Sequence, residues 1–167
     1  MWSMKWQKTC GAVEKLELPH MNLSGRVSED IQQLYSLTAL NICCNAFSLS
    51  LLKSTSSLTH LKNSDVSQNY FVGVFPSSIG RVEGLISING SNNNFSGFLP
   101  EEVVNLTKFE SLDFRGSLFE EPIPKSFKNL LNLKYLGLAG NNLTGRIPGG
   151  RRARQAFVFQ NYYFQVQ

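Results

Sequence analysis

The 167-residue chain contains no run of 18 apolar residues, so no segment reads as a helix able to span a bilayer. Its opening residues, M-W-S-M-K-W-Q-K-T, lack the apolar core of a secretory leader. Histidine is scarce: His20 and His60 are the two present. Neither lies in a metal-ligand or nucleophile motif, and both read as ordinary surface residues. No Gly-rich phosphate loop is present. Glu101–Glu102 and Glu120–Glu121 are adjacent acidic pairs, for which solvated charge is the default. The expectation is a chain with no catalytic set, no metal site and no cofactor.

Cysteine is also sparse, limited to Cys10, Cys43 and Cys44. Neighbouring cysteines seldom bridge each other, because the geometry is strained. The spacing fits no zinc motif, so Cys43 and Cys44 read as two small residues at the end of a strand. A one-signed charge is missing from the body of the chain. The formal net charge is +4, yet residues 11–148 hold 11 Lys or Arg against 12 Asp or Glu, a net of −1. The basic excess sits at Lys5, Lys8, Arg151, Arg152 and Arg154. A basic stripe for nucleic acid would have to lie on a folded face, so nucleic-acid binding is excluded as the expected function.

What the chain does have is a period. Leu133 to Pro148 reads L-K-Y-L-G-L-A-G-N-N-L-T-G-R-I-P. Stepping back by 24 from Asn141 lands on Ser117, Asn93, Asn69, Asn45 and Met21. Six units in one register, with no insertion or deletion, are the signature of a solenoid, and this period lies in the leucine-rich repeat range. Within a unit, Leu136 and Leu138 alternate with Tyr135, Gly137 and Ala139, as a strand with one buried face requires. The anchor Asn can satisfy backbone groups that the following turn leaves inside. The fold expected is α/β in class: six stacked coils over 13–148, a parallel sheet on the concave face, and 3₁₀ or short helical turns outside. Residues 1–12 read as the disordered remnant of a cap, and 149–167 as a leucine-free tail whose Phe157–Phe159 and Tyr162–Phe164 segments are aggregation-prone.

Several coils depart from the pattern. Met21 and Ser117 replace the anchor Asn; a Ser can still bond the turn, with shorter reach. Leu49 and Glu121 stand where Gly is expected, and Leu52 where Pro is expected. Ser64 and Gly90 occupy inward slots. They predict a locally thin core; the alternative is compensation by the nearby Phe71 and Phe95. The outer segments S-S-I-G-R, E-E-V-V-N-L and K-S-F-K-N-L begin with Ser or acidic residues, suited to starting a helical turn.

The segment L-x-G-x-I-P, matched by Leu143 to Pro148, resembles the plant-specific class of leucine-rich repeats. The chain is similar to part of the extracellular domain of plant leucine-rich-repeat receptor-like kinases. G-A-V-E-K-L-E-L-P-H-M-N-L-S-G-R-V from Gly11, S-L-T-A-L-N-I-C-C-N from Ser36 and the G-S-x-F core at Gly116–Phe119 resemble relatives of the TDIF receptor, also called PHLOEM INTERCALATED WITH XYLEM. The resemblance implies a Trp and a disulfide-bonded Cys in an N-terminal cap, matched here by Trp6 and Cys10, though the rest of that cap is absent. It implies a secreted peptide or protein ligand and a co-receptor for the parent protein, at the extracellular side of the plasma membrane. The kinase domain and membrane span of such receptors are absent from these 167 residues, and a truncated gene product or partial gene model is the expectation. A stand-alone repeat protein of the polygalacturonase-inhibitor type and a fragment without function remain the alternatives.

A solenoid of this kind recognises ligands on the inner curve of its strands. The outward positions there are polar at mid-sheet, which suits an extended peptide held by hydrogen bonds. Asp65, Ser87, Asp113 and Arg115 are the candidate ligand contacts; Asp113 and Arg115 share one strand and could simply pair with each other. Five N-x-[ST] sequons, at Asn22, Asn89, Asn94, Asn105 and Asn142, are candidate glycosylation sites.

Overall fold

The computed structural model describes residues 12–51 and 57–148. Residues 1–11 with Cys10, residues 52–56 with Leu52, and the tail from 149 onward lie outside the described residues. In chain order the strands are β1 (Lys15–Glu17), β2 (Ser24–Gly25), β3 (Ala39–Asn41), β4 (Ala46–Leu49), β5 (Asn63–Asp65), β6 (Tyr70–Gly73), β7 (Ser87–Asn89), β8 (Asn94–Gly97), β9 (Ser111–Asp113), β10 (Leu118–Phe119) and β11 (Tyr135–Gly137). The odd-numbered strands form one parallel sheet in the order β1-β3-β5-β7-β9-β11. Its register follows the sequence period: Leu16 faces Leu40, Leu40 faces Ser64, Ser64 faces Ile88, Ile88 faces Leu112, and Leu112 faces Leu136. Parallel pairing of adjacent coils is what a constant repeat length produces, since every coil returns to the same height.

A second parallel sheet, in the order β10-β8-β6-β4-β2, was not foreseen from the sequence. It forms where the chain leaves the anchor and turns outward, with Gly25 facing Phe47 and Gly73 facing Phe95. Beyond it lie short 3₁₀ helices at Glu29–Gln33, Ser77–Arg81, Glu101–Asn105 and Lys125–Asn129. Each buries one apolar residue: Ile31, Ile79, Val103 and Phe127 respectively. Their starts differ from the expected capping. Ser28 accepts a bond from the Asp30 N–H, but Pro76, Pro100 and Pro124 occupy the other cap positions without a side-chain bond. Proline presets φ there and serves in place of an acceptor.

The core lies between the sheets and the 3₁₀ turns. Its middle is aromatic. Phe47, Phe71, Phe95 and Phe119 occupy the same position in successive coils, two residues after the anchor, with ring centroids 6.2, 6.0 and 6.3 Å apart. Phe75 and Phe114 pack edge-on or tilted against this column. The expected thin core at Gly90 is overturned. A Cβ at Gly90 would meet Phe114 Cε1 at 2.6 Å and Phe95 Cε2 at 3.4 Å. The glycine slot is thus filled by a phenylalanine from the next coil together with Phe95. Ser64, by contrast, is only half-buried.

The anchors close the turns as a ladder. Asn69 Nδ2 donates to the carbonyls of Ile42, Val66 and Ser67, while its Oδ1 accepts from the Phe47 N–H. Asn45, Asn93 and Asn141 repeat the arrangement in their own coils. Ser117 does not. Its hydroxyl is buried without a hydrogen-bond partner, which corrects the expectation that a Ser anchor would bond the turn: the side chain is one carbonyl group too short. Four residues past each anchor the backbone is left-handed in all six coils, at Gly25, Gly73, Gly97 and Gly145 but also at Leu49 (φ 69°) and Glu121 (φ 64°). Non-glycine residues resist that region, so these two positions hold strain imposed by the stack.

Candidate ligand-recognition surface

The outward face of the six-stranded sheet is organised by a second row of polar side chains. Asn41, Asp65, Asn89 and Asp113 occupy equivalent places in successive coils and face one another across the ladder. In each, Oδ1 accepts the backbone N–H two residues on, at Cys43, Ser67, Ser91 and Arg115, at 3.0–3.2 Å. The strand ends there, so the N–H would otherwise project into solvent or ligand. The row alternates acid and amide. Asn89 Nδ2 donates to Asp65 Oδ2 at 3.1 Å and Asn41 Nδ2 reaches Glu17 Oε2 at 3.4 Å, so no two carboxylates stand directly opposite, an arrangement that like charges would penalise.

The four candidate contacts are brought onto this one face. Asp65 also takes the Ser67 hydroxyl at 2.6 Å. Ser87 donates to Asn63 Oδ1 at 2.8 Å. Asp113 and Arg115 pair, through Nε at 3.0 Å and Nη2 at 2.7 Å. Asp113 is 7% exposed, so the pair is only half solvated: the Arg115 side chain as a whole keeps 50% of its surface in water. Tyr135, from the next coil, joins them. Its hydroxyl donates to Asp113 Oδ2 at 3.3 Å, and Arg115 Cζ lies 5.9 Å from its ring centroid, within cation–π reach. Burial raises the Tyr135 phenol above its ordinary pKa, the Asp113 carboxylate adds to the rise, and Arg115 opposes it. Gly137 makes the cluster feasible, because a Cβ there would meet Asp113 Oδ1 at 2.7 Å and the Tyr135 hydroxyl at 2.8 Å. Tyr135 was read from the sequence as one outward position among many; its link to Asp113 requires knowing that Gly137 lies between them.

The sequons divide. Asn22, Asn94, Asn105 and Asn142 are exposed. Asn89 is half-buried, and its amide nitrogen is engaged with Asp65 and Ser67. Elsewhere, Cys43 and Cys44 come together with His20 at the first two coils, their ligand atoms all within 4.8 Å of one another. Burial, the Cys44 contact, and the carboxylates of Asp65 and Glu17 push the Cys43 thiol up to about 12. His60 stands apart, with Nδ1 2.9 Å from the Tyr35 carbonyl oxygen.

A Leucine Rich Repeat family model matches residues 132–150. MDIS1-interacting receptor like kinase 1 of Arabidopsis thaliana is 49% identical over 81 residues, 48% of this chain and 8% of that protein. About half of the chain is thus similar to a segment of a plant receptor-like kinase. Among solved structures, a chain of the Arabidopsis BIR3–SERK2 complex superposes with a TM-score of 0.75 and 26% identity, covering 84% of this chain and 74% of that one. The Arabidopsis receptor kinase HAESA, solved with the peptide hormone IDA and the co-receptor SERK1, gives a TM-score of 0.68 and 29% identity over 81% of this chain and 27% of that chain. The leucine-rich-repeat coils described here therefore correspond to a small part of the receptor-kinase relative and to about a quarter of the HAESA-complex chain.

Proposed function

We propose that the solenoid at 13–148 is a segment of a ligand-binding ectodomain. Its outward sheet face, around Asp65, Ser87, Asp113 and Arg115, contacts a secreted peptide. The observation that carries this reading is the Asp113–Arg115–Tyr135 cluster. A buried carboxylate and an aromatic ring hold a half-exposed guanidinium in one place, so its donors are oriented before a ligand arrives. Guanidinium groups held in this way suit carboxylate or carbonyl oxygens of a peptide, and an ordered site loses less entropy on binding. HAESA is solved with a peptide hormone and a co-receptor; by likeness, the parent of this chain acts at the extracellular side of the plasma membrane with a co-receptor of its own. The likeness of the stretches from Gly11 and Ser36 to relatives of the TDIF receptor supports a parent of that kind. Asn22, Asn94, Asn105 and Asn142 carry glycans in that setting, while a glycan on Asn89 would break the bonds to Asp65 and Ser67.

The test restores these coils to a full-length ectodomain and measures binding of a panel of secreted peptides by calorimetry. Arg115→Ala should weaken the bound peptide by about 2 kcal/mol or more, the scale of a true contact. Lys125→Ala and Lys128→Ala, in the 3₁₀ helix on the opposite side, serve as controls. Equal, small losses in all three would remove the reading.

A further inference from the structure

The first two coils place one imidazole and two thiols together by a route that the repeat itself explains. The residue before each anchor is left-handed: His20 (φ 57°), Cys44 (φ 60°), Gln68 (φ 51°), Asn92 (φ 54°), Gly116 and Gly140. Side chains of consecutive residues in an extended strand point to opposite faces. The left-handed turn at Cys44 breaks that rule and folds its side chain back beside Cys43, leaving the two sulfurs 3.0 Å apart. His20 and Cys44 are separated by 24 residues, so they occupy the same place in adjacent coils. The His20 N–H donates to the Cys43 carbonyl at 3.3 Å, which seats the imidazole over the thiol pair. His20 is exposed and both cysteines are half-buried, so the cluster opens to solvent.

We propose that His20, Cys43 and Cys44 form a binding site for a thiophilic d¹⁰ cation, Zn²⁺ or Cu⁺, that clips the first coil to the second. The donor set selects the ion class. Two thiolates and an imidazole are soft to borderline ligands, unsuited to Mg²⁺ or Ca²⁺. Ligand atoms on a common zinc ion lie roughly 3.5–4 Å apart, from bond lengths of about 2.0–2.3 Å and tetrahedral angles. The three atoms here span no more than 4.8 Å, so small side-chain rotations bring them to that spacing. Binding replaces two S–H bonds by two metal–sulfur bonds and releases both protons to water; no electrons move. The clip falls where the stack has least to hold it. Met21 stands at the anchor position of the first coil and is 57% exposed, and Leu16 and Leu18 are only half-buried.

The experiment uses the full chain, reduced and stripped of metal, titrated with Zn²⁺ against a chromogenic chelator and with Cu⁺ against bicinchoninate. Co²⁺ serves as a spectroscopic stand-in for Zn²⁺. One ion per chain is expected, with a sulfur-to-cobalt charge-transfer band and a rise in melting temperature on loading. The arm that competes successfully distinguishes the two ions. His20→Ala should lower affinity about tenfold or more, since losing a donor is no milder than the 10–100-fold cost of disturbing the residues behind one. Cys43→Ser and Cys44→Ser should abolish the charge-transfer band or halve its intensity, and His60→Ala should bind as the unaltered chain does. His20 is exposed, so its replacement tests the site without disturbing the core. A reduced chain that takes up neither ion overturns the proposal. So does one whose affinity survives His20→Ala, or one that falls equally with His60→Ala.

Discussion

The coil anchored by Asn93 and the coil anchored by Ser117 have the same length, the same register and the same kind of core. Phe95 and Phe119 stack in one column with both rings fully buried. Yet Asn93 ties four backbone groups together through one amide, whereas the Ser117 hydroxyl meets nothing. The Asn93 coil makes its outward turn with Gly97, and the Ser117 coil makes the same turn with Glu121 in a left-handed conformation. The Ser117 coil keeps its shape all the same. Stacked neighbours, the phenylalanine column and the parallel sheet are therefore sufficient to impose the coil, and the amide ladder adds stability to a geometry already determined.

That comparison can be broken first at its strong end. Asn93→Ala would strand the Phe71 N–H and the carbonyls of Val66 and Gly90 in a buried site, while the Ser91 carbonyl keeps the Gln68 N–H. The expected cost is about 3 kcal/mol, given 1–3 kcal/mol per buried group left unmade and some relief from water. Chemical denaturation measures it, and a loss under about 1 kcal/mol would show that the ladder is ornamental. Repairing the weak end is the second step. Ser117→Asn should stabilise by about 1–2 kcal/mol, because the amide gains partners that the hydroxyl lacks. A destabilised variant would mean that the coil has closed around the smaller residue and cannot admit the larger. The smallest effect belongs to Glu121→Gly, expected to stabilise by about 1 kcal/mol through relief of left-handed strain, partly offset by the greater freedom of glycine in the unfolded chain. Thermal melting of the two single variants and the double variant would also show whether positions 117 and 121 act independently.

The spacing of 24 made the six-stranded sheet legible, because a constant coil length leaves no other way for inward residues to align. The second sheet was hidden for a physical reason. Segments such as Ser24–Gly25 and Asn94–Gly97 have weak strand propensity; they pair because the coils already hold them side by side. Gly90 misled the reading because the residue that fills its slot, Phe114, lies one full repeat away, at the equivalent inward position of the next coil. At Ser117 the residue type told what could bond but not whether it could reach. The concave candidates could be placed on one face from alternation alone. Their pairing could not, since Asp113 depends on Tyr135 and on the space left by Gly137. The His20–Cys44 relation was visible as one full repeat, but a search for short motifs does not look that far apart.

The alternation along the outward row has a consequence for how charge is carried. Glu17, Asp65 and Asp113 are acids with Asn41 and Asn89 between them. Strands lie about 4.8 Å apart, so successive carboxylates are separated by roughly 9.6 Å. That is close to the Debye length of about 8 Å at physiological ionic strength. Each acid is therefore largely screened from the next. The row bears three negative charges with little mutual repulsion, and each is free to take a partner of its own, as Asp113 has done with Arg115.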